Sequence, residues 1–169
     1  MTNGTETVTF EYNQDGLRTK KVSATTGTTE YILHGKNIVH MIHDDGEQAT
    51  PVELHFFYDA QDRVTEIEYN GTRYGVIHNL QGDVVGLIDS TGTEVVQYTY
   101  DAWGKVLSLT GDANLKDTLG MIQPFRYRGY VYDVETGLYY LRSRYYYPEI
   151  CRFICSDNPR LRDRKSTRL

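Results

Sequence analysis

The chain has 169 residues, 39% hydrophobic, with a formal net charge of −5 at pH 7, enough for one domain with a real core. The hydrophobic share lies below the roughly 45–50% usual for globular chains, and 15 Tyr against 5 Phe and 1 Trp fill part of the gap with side chains suited to a half-packed, half-wet surface. The last ten residues, RLRDRKSTRL, carry a net +4 and leave −9 on the remainder, an acidic body that repels phosphate backbones and excludes nucleic acid as a partner.

The chain opens with MTNGTETVTFEYNQ, which lacks the apolar core of a signal peptide and begins inside a repeat, as expected for a fragment of something larger. The first repeat unit, FEYNQDGLRTK (Phe10–Lys20), aligns with FFYDAQDRV (Phe56–Val64) and YTYDAWGKV (Tyr98–Val106). A second unit alternates with it: TTEYILHGKNIVHMI (Thr28–Ile42) and TRYGVIHNLQGDVVGLI (Thr72–Ile88). Two interleaved series at roughly 42–46 residues predict stacked hairpins. The Asn or Asp after each Tyr can fold its side chain onto backbone N–H groups two residues on and start a turn. Gly16, Gly82, Gly92 and Gly104 supply positive φ there. Strand alternation places Thr65, Ile67 and Tyr69 on one face against Glu66 and Glu68, and Val96, Tyr98 and Tyr100 opposite Val95, Gln97 and Thr99. Stacked hairpins of this kind make a twisted, curved sheet, expected to have ten or more strands and an open edge near Phe10. No apolar run approaches the roughly 18 residues of a membrane span.

DANLKDTLGMI (Asp112–Ile122) breaks the pattern. Asp112 as N-cap, Leu115 and Leu119 at i and i+4, and Gly120 as a stop predict a short helix or helical turn. Beyond it, PFRYRGYVYDVETGLYYLRSRYYYPEICRF (Pro124–Phe153) packs ten Tyr or Phe between turn signals, with arginines beside them. Read as strands, Arg126 and Arg128 share a face, as do Arg142 and Arg144. Their planes can stack on rings such as Tyr127, Tyr139 and Tyr145 and pair with Asp133 or Glu135, predicting a partly buried Arg–Tyr ladder.

Chemistry finds little purchase. His40 and His43, with Asp44 and Asp45, are of metal-ligating type, but three residues apart on a strand they face opposite ways, and HDDGE reads as a turn. Cys151 and Cys155 stand about 13 Å apart on a strand, beyond the roughly 7 Å limit for a disulfide, and read as small hydrophobes in a packed strand. Ser108, Ser143 and Ser156 have no adjacent His, and neither a nucleophile elbow nor a phosphate loop is present. No residue is assigned a catalytic, cofactor-binding or metal role, and no cofactor is expected.

The repeats and the Pro124–Phe153 stretch resemble the Rhs (tyrosine–aspartate repeat) family of exported polymorphic toxins, and that stretch resembles the family's repeat-associated core motif. The resemblance implies an all-β fold, a curved antiparallel sheet forming an open segment of a shell. It divides the chain into repeats (1–111), a linker with a short helix (112–123), the core motif (124–157) and a non-family tail (158–169) that is artefactual or disordered. It implies a structural, non-enzymatic role as shell wall and terminal plug around a C-terminal toxin polypeptide missing here, secreted or at the cell surface. A cell-wall or carbohydrate-binding repeat surface is the alternative, with cell-wall glycans as partners. The family's Asp-Pro-x-Gly cleavage sequence is replaced by Ser156-Asp157-Asn158-Pro159, Tyr147 stands where the family has Asp or Asn before Pro148, and Cys151 where it often has Gly.

Overall fold

The computed structural model describes residues 2–3 and 6–154; Cys155, the Ser156–Pro159 sequence and the basic tail lie outside them. Eleven strands form one antiparallel sheet in chain order: β1 (Thr2–Asn3), β2 (Glu6–Tyr12), β3 (Arg18–Ser23), β4 (Gly27–His34), β5 (Asn37–Asp44), β6 (Val52–Tyr58), β7 (Val64–Tyr69), β8 (Thr72–His78), β9 (Val84–Ile88), β10 (Glu94–Tyr100) and β11 (Val106–Gly111). β1 pairs with Glu6 and Thr7, and beyond Val8 β2 has no strand on that side among the described residues, which leaves an open edge at Phe10. A second sheet holds β12 (Val131–Asp133), β13 (Leu138–Tyr140), β14 (Tyr145–Tyr147) and β15 (Arg152–Phe153).

One loop design recurs five times, at Asn13, Asp59, Asn79, Asp89 and Asp101. In each, the side-chain oxygen accepts from the N–H groups two and four residues on. The backbone of the same residue bonds the third and fourth residues that follow. This is why the first loop residue, which follows Tyr12, Tyr58 and Tyr100 in three of the five, is Asn or Asp. The third following residue takes positive φ, between 62° and 88°, and is Gly at four loops and Asp62 at the fifth. The sixth is skipped by the strand pairing: Thr19, Thr65, Val85, Val95 and Leu107 are bulged. A bulge bends its strand and raises the local twist.

The bulges correct two expected faces. Thr65 is exposed while Val64 and Ile67 are buried, because the bulge turns Thr65 out of the alternation. Val95 is buried at 7% exposure instead of lying on the polar face; it bulges where Gly111 crosses, so close that a Cβ on Gly111 would sit 2.3 Å from the Val95 carbonyl oxygen.

Between the sheets, Asp112 caps Asn114 and Leu115 as expected, but the regular helix α1 is only Leu119–Ile122. Gly120 lies inside it and does not end it. Its role is close approach: a Cβ there would meet Val96 at 3.2 Å and the Leu115 carbonyl at 3.3 Å.

The inner face of the large sheet buries Met41, Leu54, Phe56, Ile67, Leu87, Val96 and Tyr98, and the small sheet covers it. Neighbouring residues of β13 show how far the large sheet curls. Tyr139 donates its hydroxyl to the Gly104 carbonyl beyond β10 at 2.7 Å, while the Tyr140 hydroxyl accepts from the Arg18 amide at the start of β3 at 3.0 Å. Seven strand-to-strand steps separate β3 from β10, about 34 Å in a flat sheet, far more than two consecutive tyrosines can bridge. The sheet therefore wraps around the terminal motif.

Candidate functional site: the seam between wall and terminal motif

The chain concentrates its buried polar groups where the motif meets the sheet. At one side, Arg18 is 2% exposed, and its guanidinium lies 2.6 Å from Asp133 Oδ2. It stacks against the rings of Phe10, Tyr31 and Tyr140 at 5.1, 5.0 and 4.5 Å. Lys21 reaches Glu135 Oε1 at 2.8 Å and stands 3.6 Å from Asp133 Oδ1, which accepts no hydrogen bond. Thr26 donates its hydroxyl to Glu135. Two cations of β3 thus face two carboxylates of the β12–β13 hairpin.

Arg18 was hidden from sequence reasoning by the bulge at Thr19, which rotates it onto the inner face with Lys21. A signal did exist: the repeats align Arg18 with Val64 and Val106, so a cation occupies an apolar repeat position.

Burial alone would push the Lys21 ammonium down, but Tyr31, Asp133 and Glu135 outweigh it and hold it above its ordinary 10.5. Burial would likewise raise Glu135, yet Lys21 and Thr26 hold it below its ordinary 4.5. A carboxylate with a depressed folded pKa stabilises above its unfolded value and loses that contribution as pH falls through the folded one. Stability should therefore decline once pH drops below about 4.5, and Glu135→Gln should flatten that acid limb in urea midpoints measured against pH. The Lys21 contribution persists up to 10.5 and is lost as pH rises through its higher folded pKa.

At the other side, Arg126 is 3% exposed and stacks 4.1 Å over Tyr98. It donates to the carbonyls of Gly120 and Gln123, each at 2.6 Å, so a buried cation is held by backbone oxygens left open at the end of α1. Gln123, fully buried, donates to Tyr98 and the Phe125 carbonyl and accepts from the Phe125 amide. Tyr146 and Tyr127 donate to the Trp103 and Ala102 carbonyls. Gly104 fits under the Tyr127 ring, where a Cβ would lie 2.4 Å from it. Between the two sides, Phe125 meets Phe56 edge-on, ring centres 5.0 Å apart.

The expected ladder is therefore corrected in part: Arg126 is buried and Arg128 lies 5.3 Å from the Tyr127 ring, but the shared strand faces are absent. Arg128 and Arg142 are exposed and have φ of 53° and 62°, so their segments turn where strands were expected and the paired faces do not exist. Arg144 stacks 4.0 Å over Phe153, and Arg152 is exposed. Asp133 and Glu135 pair with Arg18 and Lys21 of the wall, not with arginines of the motif. Cys151 is exposed, at φ 54° after the turn Pro148–Ile150, and not packed in a strand; that conformation favours Gly. His40 and His43 do not converge: His43 bonds Thr29 on the inner side, while His40 stacks on His55 outside. Asp44 and Asp45 hold the following turn through backbone N–H groups. Ser108 bonds Thr99.

The family model of the Teneurin YD-shell matches residues 46–168. The tRNA3(Ser)-specific nuclease WapA of Bacillus spizizenii is 32% identical over 149 residues, 88% of this chain and 6% of that protein. The tRNA nuclease WapA of Bacillus subtilis is 33% identical over 149 residues, with the same shares. The chain thus spans a small part of the relatives it matches. Among solved structures, the crystal structure of TcdB2-TccC3-TEV superposes with a TM-score of 0.71 at 19% identity, covering 91% of this chain and 8% of that one. That of TcdB2-TccC3 without its hypervariable C-terminal region gives 0.69 at 21% identity, over 89% and 8%. At these identities the structural likeness concerns the fold.

Proposed function

The chain belongs to the Teneurin YD-shell family, of the Rhs/YD-repeat type, and we propose that it is a wall segment and terminal plug of the shell of an exported polymorphic toxin. The cargo in this reading is the C-terminal toxin polypeptide of the whole protein. The observation that carries it is the seating of the motif: one pair of consecutive tyrosines, Tyr139 and Tyr140, anchors it to strands seven steps apart. A wall so curled encloses space, and a motif so held closes it.

The segment itself is structural, with no catalysis of its own. Arg18 and Lys21 pair with Asp133 and Glu135 across the seam, and Arg126 is held by backbone carbonyls, which supports rigidity and leaves these groups unavailable to a substrate. The carbohydrate-binding alternative has less support. The motif tyrosines are buried or half-buried, so they do not form the open row of rings that stacking on sugars requires.

Limited trypsin digestion of the whole protein tests the reading. The polypeptide following the motif should resist cleavage in the native protein and become sensitive when Asp133→Ala loosens the seam. Equal cleavage rates in the two proteins would overturn the encapsulating role.

A further inference from the structure

His40 and His55 are direct cross-strand partners on β5 and β6, both on the face opposite Met41 and Leu54. Their rings stack at 4.1 Å with 11° between the planes. Glu53, two residues before His55 and so on the same face, brings Oε2 to 3.1 Å from His40 Nε2. One ligand atom from each residue lies within 4.8 Å of the others. We propose that His40, Glu53 and His55 bind one divalent transition-metal ion of the zinc class on the outer surface of the wall.

The donor set is right for such an ion: two imidazole nitrogens and one carboxylate oxygen, with the fourth position left to water. Metal–ligand bonds of about 2.0–2.1 Å in a tetrahedron place neighbouring donors about 3.3 Å apart, so the His40–Glu53 edge already has the required length. The paired strands hold the His40 and His55 backbones together, and rotation of the two half-exposed rings out of their parallel stack would turn one nitrogen of each toward a single ion without moving the sheet. The surroundings are balanced in charge. Glu68 lies opposite His55 on β7, with Arg73 Nε at 3.3 Å from it, and Ile32 lies opposite His40 on β4. The ion would staple β5 to β6, whose connection is not one of the five tight Asn/Asp loops.

Titration calorimetry with zinc chloride at neutral pH tests the proposal on the chain as it stands. The expected result is saturable 1:1 binding, together with a thermal midpoint that rises with zinc. His40→Ala and His55→Ala should each weaken binding by more than the roughly 10–100-fold that even outer-sphere partners contribute. Glu53→Gln, which preserves shape, should weaken it too, and His34→Ala should leave it unchanged. Circular dichroism should show that the variants, all on exposed or half-exposed side chains, keep the fold. No saturable binding below about 100 μM zinc, an affinity of about 5.5 kcal/mol, would overturn the site. So would binding that survives unchanged in both histidine variants.

Discussion

Asp133→Ala should destabilise the protein by about 3–5 kcal/mol, because it strands a buried cation. Asp133 is fully buried and holds the guanidinium of Arg18 at 2.6 Å. Without the carboxylate, Arg18 keeps only aromatic faces and a 3.4 Å contact to the Tyr31 hydroxyl, and no group there supplies the lost charge. The urea midpoint reads the effect directly. Replacing both partners, Arg18→Met with Asp133→Leu, should recover most of the loss, since a well-packed apolar pair is often no worse than a buried ion pair. A midpoint for Asp133→Ala within about 0.5 kcal/mol of wild type, the range of ordinary surface changes, would show that the seam is wet and the pair unimportant.

Phe125→Ala should cost a similar amount, about 3–5 kcal/mol as for other buried Phe truncations. The ring is 7% exposed and meets Phe56 and Tyr58 edge-on, at 5.0 and 6.5 Å. It is the apolar link between motif and wall midway between the two polar sides of the seam. Its removal should therefore also raise amide exchange in β13 and β14, where a cavity confined to the wall, such as one from Ile67→Ala, should not. Equal exchange in the two variants would mean that the motif docks independently of Phe125.

Much of this was legible in the sequence, and the gaps share one cause. The loops were readable because Asn13, Asp59 and Asp101 recur after an aromatic residue with a Gly or Asp three places on, and that chemistry is local. The sheet followed from the hairpin period. Strand faces near the loops were not readable, because a bulge after each loop shifts the alternation by one residue. That shift hid Arg18 and exposed Thr65. The site at the seam was half legible: the Pro124–Phe153 stretch marked the motif, but the partners of Asp133 and Glu135 lie more than 100 residues away in β3. Nothing local announces such pairs. His40 and His55 failed for a related reason, since cross-strand register, and not spacing along one strand, brings them together.

The large sheet curls around its own terminal motif, and a distance across the sheet tests this most directly. Gln14 and Ala102 are exposed loop residues at the β2–β3 and β10–β11 turns. Near them, Tyr12 bonds Tyr145 and Trp103 accepts from Tyr146, so consecutive motif residues reach both turns. Nitroxide labels at Gln14→Cys and Ala102→Cys, in a background with both native cysteines replaced (Cys151→Ser and Cys155→Ser), give this separation by double electron–electron resonance. The curled wall predicts one narrow distribution centred well below the roughly 38 Å that eight flat strand spacings would give. A distribution centred at or beyond that length would contradict the enclosed motif and the shell it closes.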